Sequence, residues 1–235
     1  MLRGSLLLLL LAACSNASSA SPHTIPVVFA ASSLNECLGE IAREFERRGG
    51  ERLTMRFDAS STLARQIEQG AYADLFVSAA PEWIDRVKAT ERLDWLSNRL
   101  VLVVPREGAD VALNALPSLA LANDQVPIGA YAKAALHKVG VQLPERLVYG
   151  ANARDVVSKV AHGAAAAGIV YATDAMAEPS VRSVYTFPLE THPPIRYTAA
   201  LLTTEGAGFY ASLRQPWALA IAKKHGFEVL IPEAR

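Results

Sequence analysis

The chain has 235 residues, 51% hydrophobic and 20% charged, with 23 basic and 23 acidic residues that cancel to zero formal charge. Zero charge leaves no basic field for nucleic acid and no acidic tail, so a polyanionic partner is excluded. Cys14 and Cys37 are the two cysteines, too few for a cysteine-rich metal site.

The first segment carries Arg3, a leucine run over residues 6–11 and Ala12-Ala13-Cys14, the layout of a bacterial export signal. The run is too short to span a bilayer of ~30 Å as a mature helix. Leu11-Ala12-Ala13-Cys14 resembles the lipobox of bacterial lipoproteins, in which the cysteine is lipidated and becomes the first mature residue. The resemblance implies a lipoprotein-type signal over 1–13 and a lipid anchor on Cys14; the alternative is an ordinary signal that discards Cys14. Residues 14–24 read as a serine- and alanine-rich flexible tether. Cys37 then has no partner for a disulfide within the mature chain and is expected in the core.

Short apolar runs alternate with three-to-four spacing from residue 25 onward. Residues 25–30 form a predicted strand, and Leu34, Leu38, Ile41, Ala42 and Phe45 mark one helical face that ends at Gly49-Gly50. Leu53, Met55 and Phe57 alternate as a strand; Leu63 and Ile67 lie on a helix closed by Gly70; residues 73–79 read as a buried strand; Pro81 opens the next helix. Strands follow over 100–104 and 119–122, then a helix over 131–139 capped by Gly140. A helix over 154–162 and strands over 168–171, 183–187 and 197–203 complete the alternation. Pro216 divides the last helical stretch into two pieces, with Gly226 as the final cap.

This alternation predicts an α/β protein of mostly parallel sheets covered by helices. Ligands of such sheets bind beyond the carboxyl ends of strands, at helix starts. Four such turns carry polar or constrained residues. At the first, Ser33 and Glu36 have capping-box spacing, and a plain helix cap is the simpler reading. At the second, Ser60, Ser61 and Thr62 follow Asp58, so two hydroxyl-bearing helix starts together offer O–H and N–H donors and two helix dipoles to an anion. Two ordinary caps would give the same local pattern. The third turn, 124–131, holds Pro127 and Gly129, and Ile128 there can offer only its amide. The fourth, 152–157, starts a helix ahead of the strand ending at Tyr171, whose phenol faces either the site or solvent.

FAASSL, FDASSTLARQIEQGAYADLFVSA, NRLVLVVP, VPIGAYAKAAL and AGIVYATDA, in this order from about Val27 to Phe227, resemble the periplasmic molybdate-binding proteins of ABC importers. The resemblance implies a two-lobed type II periplasmic-binding-protein fold with the ligand cleft between lobes: 25–104 plus 198–235 as lobe I, 105–197 as lobe II, and hinges near Val104 and Tyr197. It implies ligand contacts through Ser33 and Ser60 (hydroxyl and amide), Ile128 and Val156 (backbone N–H) and Tyr171 (hydroxyl). Ser32, Ser61 and Asp155 are secondary candidates for ligand contact, and Asp155 and Asp174 lie beside the contacts as supports for the loops. The ligand implied is molybdate or tungstate, with no cofactor and no free metal cation; the partner is an ABC permease, and a monomer in the cell envelope is expected. The chain departs from the family pattern at Ala122-Asn123-Asp124, at Tyr197-Thr198, and at Ile128, where alanine is usual and a narrower pocket is expected.

A tetrahedral dianion needs inward donors and no facing carboxylate, and dipoles can balance its charge without a buried cation. Hydrogen bonds to a charged group contribute about 1.5–3 kcal/mol each, so five to seven would suffice for sub-micromolar affinity. Such a site refuses a protonated oxyanion, whose O–H finds no acceptor. The rival reading is a receptor for another tetrahedral anion such as sulfate, distinguished by cavity radius. A remoter one is an exported hydrolase, which would need a nucleophile and base; no Gly-x-Ser-x-Gly elbow is present.

Overall fold

The computed structural model describes residues 25–231. The signal, Cys14 and the tether lie outside the described residues. Among the described residues no helix is long and apolar enough to cross a membrane.

In chain order the elements are β1 (Val27–Ala31), α1 (Asn35–Arg47), β2 (Thr54–Asp58), α2 (Ser60–Glu68), β3 (Leu75–Ser78), α3 (Pro81–Ile84) and β4 (Glu91–Ser97). The chain then runs through β5 (Leu100–Pro105), β6 (Leu119–Ala122), α4 (Pro127–Val139), β7 (Leu147–Gly150), α5 (Ala153–Ala161), β8 (Ala167–Tyr171), α6 (Ala172–Ala177) and β9 (Val181–Thr186). It ends with β10 (Arg196–Leu201), α7 (Ala207–Ser212), α8 (Pro216–Lys224) and β11 (Glu228–Val229).

The strands form two sheets, ordered β11-β4-β10-β3-β1-β2 and β7-β6-β8-β5-β9. Here the expected mostly parallel sheets are corrected: both are mixed. β1 runs parallel to β2 and β3, but β10 is antiparallel to β3 and β4, and β11 to β4. In the second sheet β6 is parallel to β7 and β8, while β5 is antiparallel to β8 and β9. β5 and β10 are the strands by which the chain passes between lobes. Neither arrives through a helical crossover within its own sheet, which a parallel neighbour requires.

That pairing also moves the crossings. Residues 100–104 were expected in the first lobe, yet β5 pairs only into the second sheet, so the chain crosses at Asn98-Arg99 and not near Val104. The return falls between β9 and β10, placing Tyr197 inside the first sheet. The last helices pack back on α1: Phe209 meets Phe45 edge-on at 5.3 Å between ring centroids, and Lys224 Nζ donates to Glu40 at 2.8 Å.

The helical face read along α1 is buried as spaced, with Leu34, Leu38 and Ile41 fully enclosed, each contributing about 1.5–3 kcal/mol relative to exposure. Cys37 is in this core, and burial pushes its thiol up. Gly140 ends α4 with φ 73°, the left-handed conformation that glycine adopts without a Cβ penalty. Four elements escaped the periodicity: β4, β7, α6 and the two-residue β11. In β4 the signal was present, since buried Leu93 and Trp95 alternate with exposed Arg92 and Asp94.

Candidate functional site

The carboxyl ends of β1, β2 and β3 face the first turns of α4 and α5 and the end of β8 across the cleft, enclosing a cavity of about 20 Å³. Ser32, Ser33 and Ser60 line it from the first lobe; Ile128, Ala153 and Tyr171 line it from the second. No lysine or arginine is among the lining residues.

Neither serine turn is a cap. The N-cap of α1 is Leu34, without a side-chain hydrogen bond, so the Ser33–Glu36 capping box does not form. Ser33 Oγ instead lies 2.8 Å from Tyr197 Oη, and Glu36 reaches Arg154. In α2 the N-cap is Ala59 and Ser60 is the first helical residue. Ser60 Oγ accepts the Ala79 N–H at 3.0 Å, which leaves its own proton to donate. Of the adjacent pairs, both Ser32 and Ser33 line the cavity, but Ser61 does not: its hydroxyl is buried with no partner among the described residues.

On the opposite wall Ile128 holds the second position of α4, where an N–H has no partner within its helix. Gly129 makes this approach possible, since a Cβ there would lie 2.1 Å from Asn123 O. Val156 is a correction. Its N–H donates inside the helix turn to Asn152 O at 3.1 Å, and its side chain packs over Gly150. Ala153, the first residue of α5, takes the lining position instead. Asp155 supports that turn: its carboxylate accepts the Ala151 N–H at 2.8 Å and Lys159 Nζ at 2.6 Å, and its N–H donates to the capping Asn152 Oδ1.

Tyr171 faces the cavity and is not a surface phenol. It is 1% exposed, and its Oη has no hydrogen-bond partner among the described residues. Burial, then the neighbouring Tyr197 and Tyr131, hold the phenol well above its usual range, so it is a neutral O–H donor. Its ring stacks edge-on with Tyr131 and Tyr197, at centroid distances of 6.4 and 5.9 Å.

One expectation of the donor set needs amendment, because a carboxylate does line the cavity. Asp58 Oδ1 accepts the Ala59 N–H at 2.7 Å and Asn152 Nδ2 at 3.3 Å, which commits that oxygen to protein donors and ties the two lobes together. Asp58 and Asn152 stood in the serine and helix-start turns, but nothing local told them apart from loop polar residues. Ala153 carries no side-chain signal at all.

Four hydroxyl-bearing residues, Ser32, Ser33, Ser60 and Tyr171, and the positive ends of α2, α4 and α5 therefore converge on one small space between lobes that the chain crosses twice. This arrangement, two lobes around a small cleft, is that of a solute-binding protein. Residues 26–228 match the family described as bacterial extracellular solute-binding protein, and the chain belongs to that family.

Among curated proteins it is 35% identical to the molybdate-binding protein ModA of Escherichia coli, over 86% of this chain and 88% of that protein. It is also 35% identical to the ModA of Haemophilus influenzae, over 74% and 77%. Among solved structures it resembles the periplasmic molybdate-binding protein of Azotobacter vinelandii, with TM-score 0.74 at 22% identity over 88% of this chain and 99% of that one. The sulfate-binding protein SubI of Mycobacterium tuberculosis shares the fold, with TM-score 0.72 at 16% identity over 89% and 88%.

Proposed function

We propose that the protein captures molybdate, and tungstate with it, and delivers the anion to the permease of an ABC importer. The carrying observation is the cationless cavity in which Ser33, Ser60 and Tyr171 meet three helix N-termini. Hydroxyl and N–H donors at about 1.5–3 kcal/mol each suffice for a dianion without a buried counter-charge. Identity of 35% to molybdate-binding proteins supports this anion over others. The contacts of this reading are Ser33, Ser60, Ile128, Ala153 and Tyr171, with Ser32 beside them. The protein acts by closure around its ligand and performs no covalent chemistry.

The same reading places it outside the cytoplasmic membrane as a monomer held by a lipid on Cys14. Cys14→Ala should then move it from the membrane to the soluble fraction, and unchanged fractionation argues for an ordinary signal.

Calorimetric titration with molybdate, tungstate, sulfate and phosphate decides the ligand. One-to-one, sub-micromolar binding of the first two with silence from the others supports the proposal. Binding of sulfate alone keeps the fold and replaces the substrate.

A further inference from the structure

Tyr197 does not line the cavity, yet it is fully buried directly behind Ser33, with Oη 2.8 Å from Ser33 Oγ. The direction of that hydrogen bond follows from the residue behind it. Asn98, at the crossing between lobes, accepts the Arg99 N–H on Oδ1 at 2.9 Å, so its other terminus is the amide nitrogen. Asn98 Nδ2 donates to Thr173 Oγ1 at 2.8 Å and to Tyr197 Oη at 3.2 Å.

Tyr197 Oη thus accepts from Asn98, and Ser33 Oγ is the acceptor left for its proton among the described residues. If Ser33 donated to Tyr197, the phenol proton would be buried without a partner, at a cost of about 1–3 kcal/mol. Burial, then the Asp174 carboxylate, hold the phenol well above its usual range, so that proton stays in place.

We propose that Tyr197 is a positioning residue: with Asn98 behind it, it donates to Ser33 Oγ, frees the Ser33 proton from that bond and turns it into the cavity, so that Ser33 meets the ligand as a donor. The inference rests on the reading of the cavity as an anion site. It deepens that reading, because it holds the Ser33 proton ready for an anionic oxygen, and because the donor chain begins at the lobe crossing.

The test is a double-mutant cycle of Tyr197→Phe and Ser33→Ala, each protein titrated with molybdate and with sulfate by calorimetry and its fold checked by thermal unfolding. In the parent, Tyr197→Phe should weaken binding about tenfold. In the Ser33→Ala background it should cost less than about twofold, because the donor it orients is gone. Equal losses in both backgrounds, or none in the parent, overturn the relay. A folded parent that binds neither anion overturns the anion reading itself, and the relay with it. Should Tyr197→Phe fail to fold, Asn98→Asp reads the same cycle. It places an acceptor where the amide donor stood, so Tyr197 donates backward and Ser33 loses its orientation; the loss should again vanish without Ser33, and an equal loss in both backgrounds overturns the proposal.

Discussion

Arg154 on α5 and Glu36 on α1 join the two lobes across the cleft, with Nη2 donating to Oε1 at 2.6 Å. The other guanidinium nitrogen lies 3.7 Å from Asp174 Oδ1, close enough for attraction and too long for a hydrogen bond. Glu36 is therefore a bridge between lobes, and its spacing from Ser33 plays no capping part.

Both side chains of this bridge are partly open to water, 26% and 36% exposed, so its contribution is about 0.2–1 kcal/mol. Glu36→Gln should weaken molybdate binding by at most about fivefold while leaving the melting temperature nearly unchanged. A hundredfold loss by titration would show that closure depends on this pair far more than its exposure allows.

Asp174 is fully enclosed, and its two oxygens have no hydrogen-bond partner among the described residues. Burial pushes its carboxyl up to about 7; Arg154 pulls it back only in part, and Glu36 adds to the rise. The folded state thus holds a proton that the unfolded chain has lost at that pH. This contribution to stability is complete below about pH 4 and is lost as pH rises through about 7. The melting temperature of Asp174→Asn minus that of the parent should be near zero at pH 4 and grow positive toward pH 7.5. A flat difference across this range would remove the buried-carboxylate account.

Tyr171 separates stability from binding. Tyr171→Phe removes a buried hydroxyl that has no partner among the described residues, so the ligand-free protein should melt at the same temperature or higher. Molybdate affinity should fall about tenfold, the weight of one hydrogen bond to a charged group. A lower melting temperature with unchanged affinity would give the phenol a purely structural role.

Gly129 is where backbone approach shapes the site. A Cβ would stand 2.1 Å from Asn123 O and 2.5 Å from Ala122 O, atoms that the end of β6 cannot move aside. Gly129→Ala should destabilise by about 1–3 kcal/mol and abolish molybdate binding by displacing the first turn of α4. Denaturant unfolding and titration of one preparation check both.

That Ser33, Ser60, Ile128 and Tyr171 line one cavity was legible because each stands at a strand-to-helix junction, and an α/β sheet brings such junctions together whatever its strand order. The expected helical face of α1 and the break at Pro216 were equally local, set by spacing and by a missing N–H. The mistaken choice of Val156 shows where this legibility stops. Several residues after Asn152 share the start of α5, and only the helix register decides that Ala153 faces the cavity while Val156 bonds back to Asn152.

The α/β alternation, the capping glycines and the hydroxyl-bearing turns can be read along the chain, since these depend on neighbours within a few residues. The mixed pairing of the sheets, the crossing at Asn98-Arg99, the bridge from Glu36 to Arg154 and the orientation of Ser33 by Tyr197 arise only once the chain has folded. Ser33 and Tyr197 are 164 positions apart. Strand order, proton direction and lobe-to-lobe contacts depend on which distant surfaces meet, and periodicity along the chain carries no record of that.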